Sequence, residues 1–277
     1  MFEILIWPFL AAVVLAGIHA YLGMHVIERG IIFVDLALAQ TAALGALAGF
    51  LAGFEMHTTG SYFFSLGFTL CAALFLSLTR NAIKEIPREA LIGVLYVFAA
   101  AAAVLILSKA PSEAEHIKYM LVGNILFVKP EEVIITAVLY TAIAGFHFVF
   151  RDKFMAITKE CPGCEKKMNV MLWDFLFYAT FGAVVTSSVA TAGVLLVFSY
   201  LIVPAALSFM FFRGVKARLL FSWAAGVVCS IFGIALSVFT DLPTGASITA
   251  VFGLVFTVVF TVRALWYNNF QKSKKAV

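Results

Sequence analysis

Long apolar blocks dominate this chain, separated by short polar stretches. Blocks at 3–23, 31–53, 61–79, 90–108, 134–150, 171–190, 193–212, 219–240 and 246–267 are each near the ~20 residues a helix needs to cross a hydrocarbon core. They predict an all-α, polytopic membrane helix bundle of about eight or nine spans. The stretch 171–212 is continuous enough to contain a broken or short helix. The second block carries Ala37, Thr41, Gly45, Gly49 and Gly53 at four-residue intervals. Such a stripe lies on one helix face and predicts a close-packed seam inside the bundle. Ala110 to Val133 breaks the pattern, because Pro111, Glu113, Glu115, His116 and Lys118 precede the apolar piece Tyr119–Val128. That piece is too short to cross and predicts a re-entrant or interfacial helix on the outer side.

Composition narrows the class. Of 277 residues, 63% are hydrophobic and 12% charged, too few charges to cover a soluble domain of this size. No long polar stretch is present, so one membrane domain over 1–277 is expected. Lys and Arg concentrate in 80–88, 151–170, 213–218 and the C-terminal tail, whereas 54–60 and 241–245 carry none. The positive-inside bias puts the first group in the cytoplasm, the N-terminus outside and the C-terminus inside. The net charge of +4 therefore reads as a sidedness signal, and no basic block has a nucleic-acid pattern. The first block lacks a basic leader and a small-residue cleavage site, and reads as a retained span.

Few residues can carry chemistry. Asp35 lies in an apolar span, where a carboxylate marks an ion path, or else pairs with Arg29 or caps a neighbour. His19 and His147 lie mid-span, where a lone imidazole bonds a carbonyl or hydroxyl, or lines a path. Glu55, His57, Glu113, Glu115 and His116 gather by topology on the outer side as a negative vestibule or docking rim, or simply as solvated loop charge. Asp241, ahead of Pro243 and the last block, is expected to cap that helix, and Pro204 to kink or break its own. Cys161 and Cys164 supply half of a tetrahedral thiolate site, beside lysines that favour thiolate: a regulatory metal or redox pair, or a reduced turn. No phosphate-binding Gly-x-x-x-x-Gly-Lys-Ser/Thr sequence occurs, so any ATP chemistry must come from another polypeptide.

Several segments resemble the permease family of zinc, manganese and iron ABC importers, in order and across the chain. These are Gly23–Gly45, Arg88-Glu89-Ala90-Leu91-Ile92-Gly93, Gly123-Asn124-Ile125-Leu126, Gly193–Ala206 and Asp241-Leu242-Pro243-Thr244-Gly245. The resemblance implies a transmembrane permease subunit, without its own ATPase site, in the plasma membrane of a prokaryote. It would form a homodimer on a cytoplasmic ATP-binding subunit, receive a divalent metal ion from an extracytoplasmic metal-binding protein, and work by alternating access. Asp152, Phe154 and Ala156 resemble the family's coupling segment, which makes 151–170 the cytoplasmic coupling loop, with Asp152 capping a short helix and Phe154 anchoring it on the ATPase. The family's gate, an Asp and a His one turn apart on the second helix, falls here on Leu36 and Gln40. Asp35 stands one position early, rotated about 100°, and the Gln40 amide is a poorer ligand for zinc than imidazole. Asp35, Gln40 and His19 are the candidate pathway residues. A permease for a metal chelate is the alternative this departure suggests. A stand-alone secondary transporter is the alternative from a different class, disfavoured by the scarcity of buried ionisable groups.

Overall fold

The computed structural model describes residues 2–55, 58–80, 86–108, 123, 125–159 and 168–275, and among these the regular structure is helical. The helices are α1 (Phe2–Arg29), α2 (Val34–Leu51), α3 (Thr59–Thr79), α4 (Arg88–Leu107), α5 (Pro130–Val149), α6 (Arg151–Thr158), α7 (Val170–Ala192), α8 (Val194–Phe211), α9 (Val215–Thr240) and α10 (Thr244–Lys275), with a 3₁₀ turn at Ile125–Phe127. Among the described residues, nine helices are long and apolar enough to cross a membrane, and α6 is the short exception. The chain is a multi-pass membrane protein.

Two groups of helices build the bundle. α2, α3 and α4 pack together; α1, α8, α9 and α10 form the second group; α7 lies between them, and α5 rests on α1 and α7. Between apolar helices in lipid, association rests on close packing and hydrogen bonds, so small residues mark the seams. The α2 stripe obeys this: a Cβ on Gly45 would lie 2.7 Å from Phe64 O, and one on Gly49 3.1 Å from Phe64 Cβ, both in α3. Gly53 departs from the stripe, because it sits in the turn after α2 with φ +92° and open space around it. That turn needs glycine for its left-handed backbone.

Three local expectations are corrected. α1 does not stop near residue 23 but runs to Arg29, because His25 and Arg29 find partners inside the protein. α8 runs unbroken through Pro204, gripped by α1, α9 and α10; the break lies instead at Gly193 (φ 80°, ψ 157°), which separates α7 from α8. Asp241 does not cap the last helix. It ends α9 in the left-handed region (φ 55°), which Asp tolerates better than most residues. The start of α10 is tied by Ser237 Oγ, 2.7 Å from Thr244 Oγ1.

The bundle has two unlike ends. One gathers Arg29, Arg80, α6 and the start of α7, and is called here the basic end. The opposite end holds the α7–α8 junction. Gly123 (φ +69°) is pressed against Ala192 and Gly193 there, with no room for a side chain. Ile125 behind it is fully buried against α1 and α10. Of the expected outer interfacial helix only this final part is described; 109–122 and Asn124 lie outside the described residues.

Candidate functional site

Asp35 sits in the first turn of α2 with no exposed surface, and neither carboxylate oxygen has a hydrogen-bond partner among the described residues. The expected pairing with Arg29 does not form, since Arg29 is committed to Asp174. Leu36 and Gln40, one turn apart, are partly exposed. Asp35 and Gln40 are five residues apart on one helix and so point about 140° away from each other.

His19 is fully buried and uses both ring nitrogens within the bundle: Nδ1 lies 2.8 Å from Leu15 O, and Nε2 lies 3.3 Å from Ser188 Oγ of α7. His147 likewise bridges Tyr21 Oη (3.1 Å) and Thr180 Oγ1 (2.8 Å). Both imidazoles follow the hydroxyl-and-carbonyl reading. In low dielectric such bonds fix helix register and leave little ligand capacity. The structure thus does not bring Asp35, Gln40 and His19 to one point. Among the described residues, no three His, Cys, Asp or Glu side chains gather as a metal site.

The basic end is more elaborate than the sequence suggests. Asp174, 1% exposed, is clamped by Arg29 Nη1 at 2.9 Å and Arg80 Nη1 at 2.6 Å, both on Oδ1. Arg80 Nη2 also donates to Ile157 O (3.2 Å), and Arg29 Nε to Thr158 Oγ1 (3.1 Å); that hydroxyl is 2.7 Å from His25 Nδ1. The Arg29 guanidinium also stacks 3.8 Å over the Phe177 ring. These contacts tie α1, the end of α3, α7 and the C-terminus of α6 together. The sequence alone does not reveal this cluster: in it Arg80 reads only as a sidedness marker and Arg29 only as a partner for Asp35. The usable signal was Asp174 itself, a carboxylate inside an apolar block.

α6 has two faces. Phe154, Ile157 and Thr158 are buried, at i, i+3 and i+4 of one face. Asp152 and Lys153 are exposed, and Met155 and Ala156 are partly so. Two details differ from the sequence expectation. Phe154 is fully buried, its ring stacked 3.9 Å from that of His147 and edge-on to Trp173, so it anchors α6 inward and not onto a partner surface. Asp152 makes no cap to the helix; its side chain is 96% exposed with only a loose 3.9 Å approach to Arg151. Beside α6, a small cleft lined by Met24, His25, Glu28, Met155, Val215 and Arg218 opens toward α9.

Of the outer cluster, Glu55 is exposed in the α2–α3 turn, while His57, Glu113, Glu115 and His116 lie outside the described residues. Cys161 and Cys164 do as well.

Comparison with known proteins gives this arrangement a family. The ABC 3 transport family matches residues 1–263. The chain is 23% identical to the chelated iron transport system membrane protein YfeC of Yersinia pestis, over 94% of this chain and 90% of that one. It is 21% identical to the manganese transport system membrane protein MntC of Listeria innocua, over 97% and 94%. Among solved structures it is similar to PsaBC from Streptococcus pneumoniae in complex with Fab, with a TM-score of 0.76 at 20% identity, over 93% and 91%. A second similar structure is an inward-facing putative metal-chelate type ABC transporter, with a TM-score of 0.65 at 18% identity, over 92% and 84%. The helical architecture is that of ABC transporter permeases. The chain belongs to the ABC 3 transport family.

Proposed function

We propose that this chain is the membrane-spanning subunit of an importer for divalent metal ions such as manganese, iron or zinc. ATP is hydrolysed by a separate cytoplasmic subunit, an extracytoplasmic protein delivers the ion, and the chain supplies the path by alternating access. The observation that carries the reading is α6, whose Phe154–Ile157–Thr158 face is seated in the bundle while Asp152, Lys153 and Ala156 face outward. A short helix held this way fits a coupling element that passes a partner's movement to the bundle as a rigid-body displacement. The relatives' names, chelated iron and manganese transport, support the metal. The family and the concentration of Lys and Arg at the basic end support a prokaryotic plasma membrane, with that end and the C-terminus cytoplasmic and the N-terminus outside.

Asp35 is the pathway carboxylate in this reading. The partly open strip of Leu36 and Gln40 on α2 and of Phe33 just before it, with Phe33 stacked 6.5 Å from Phe198 of α8, is where a second copy closes the path. This reading puts Glu55 at the outer mouth and gives the pair Cys161 and Cys164 of the coupling loop a regulatory role. A complex with ATPase and binding protein in proteoliposomes is expected to show ATP hydrolysis stimulated by loaded binding protein, and metal uptake. Uptake without any ATPase would replace this reading with a stand-alone transporter.

One observation favours a second reading, a metal chelate as cargo: the partly exposed face at Leu36 and Gln40 carries no charged or imidazole ligand. Parallel uptake of free and chelated metal separates the two, and loss of free-ion uptake in Asp35→Ala decides for the bare ion.

A further inference from the structure

The cluster around Asp174 is costly and incompletely satisfied. Two buried guanidinium groups share one carboxylate oxygen, while Asp174 Oδ2 and Arg29 Nη2 have no hydrogen-bond partner among the described residues. Taking such charges out of water costs several kcal/mol per ion, and well-packed apolar residues at such sites often leave a protein as stable or more so. Stability alone is therefore a weak reason for the cluster. Its wiring suggests another. The two arginines bring one positive charge more than Asp174 neutralises, and their remaining bonds go to the last turn of α6, at Ile157 O and Thr158 Oγ1. A helix C-terminus carries partial negative charge, so the end of α6 completes the electrostatics of the cluster. Displacing α6 would strand a buried cation.

We propose that Asp174, Arg29 and Arg80 are positioning residues that lock the C-terminal turn of α6 to α1, α3 and α7. Movement of α6 is thereby delivered to three membrane helices at once. This rests on the reading of α6 as the element facing the ATPase. Phe154 supplies the apolar half of the joint and the ionic cluster its directional half, since charged hydrogen bonds constrain angle as well as distance.

The test is uptake per ATP hydrolysed in proteoliposomes holding the complete complex, using a metal-loaded binding protein. The variant Arg29→Met/Arg80→Met/Asp174→Leu replaces the cluster by apolar side chains. It is expected to melt at or above the parent temperature and to hydrolyse ATP within about threefold of it, while uptake per ATP falls at least about tenfold. Parent-like uptake per ATP overturns the proposal. Should this variant fail to assemble, Thr158→Val decides, because it removes a hydroxyl and no charge. About a threefold loss of uptake per ATP in complexes that still assemble and hydrolyse ATP supports the lock, and no loss overturns it. Ala156→Trp, on the outward face of α6, tests the underlying reading separately. If it leaves ATPase binding and hydrolysis untouched, α6 is not the ATPase-facing element, whatever the cluster variants show.

Discussion

Asp35 and Asp174 are both buried carboxylates, 0% and 1% exposed, the one in the first turn of α2 and the other just past the first turn of α7, in helices that start near the same end of the bundle. Their surroundings are opposite. Asp174 holds two arginines; among the described residues, Asp35 has no hydrogen-bond partner on either oxygen. The lesson concerns what each is free to do. A carboxylate clamped between two cations is fixed and its bonding capacity is spent on structure. A carboxylate without a partner keeps its lone pairs and contributes nothing to the fold that an apolar side chain would not. The isolated group is therefore the candidate for cargo, and the paired group the candidate for mechanics.

The largest expected effect tests that division directly. Asp174→Ala removes one partner of a buried cluster and leaves two guanidinium groups unbalanced, so a loss of about 3–5 kcal/mol is expected in detergent-solubilised unfolding. Asp35→Leu should keep or raise the unfolding midpoint, since no bond is broken, yet lower metal uptake by about tenfold or more, the loss expected of a pathway carboxylate. Equal destabilisation by the two substitutions would break the comparison. Next comes the seam that seats the Asp35 helix. Gly45→Ala forces α2 away from Phe64 and Ser65 of α3 and should cost about 1–3 kcal/mol by overpacking, read from the same unfolding titration. The smallest effect belongs to an uncharged interhelical pair. Thr69 Oγ1 and Thr186 Oγ1 are 3.2 Å apart, and Thr186→Val should cost about 0.6 kcal/mol, the usual scale for such bonds in membranes.

Much of the architecture was legible because lipid imposes a crude code. Each expected apolar block corresponds to one of the nine spans, and the α2 stripe marked its seam with α3 at Gly45 and Gly49. The misses share a cause. Residues 24–29 are polar enough to read as a loop, yet His25 and Arg29 are satisfied by Thr158 and Asp174, far away in the chain. Local composition cannot report a partner more than a hundred positions distant. Phe154 faces inward where the family resemblance implies an anchor on the partner, although its spacing with Ile157 and Thr158 puts the three on one face. The lack of a partner for Asp35 was illegible in principle, because it depends on where Arg29 goes.

One consequence of α7 remains. Asp174 lies near one of its ends and Ala192, with Gly123 wedged against it, at the other. At about 1.5 Å per residue the helix is a rod of roughly 34 Å. Pivoting by about 5° around the arginine clamp would swing the tip at Ala192, roughly 27 Å away, by roughly 2 Å. Gly123 has no side chain to cushion the stroke, so a tilt of α7 begun at the basic end would be felt directly by the backbone packed against Ala192 at the opposite end.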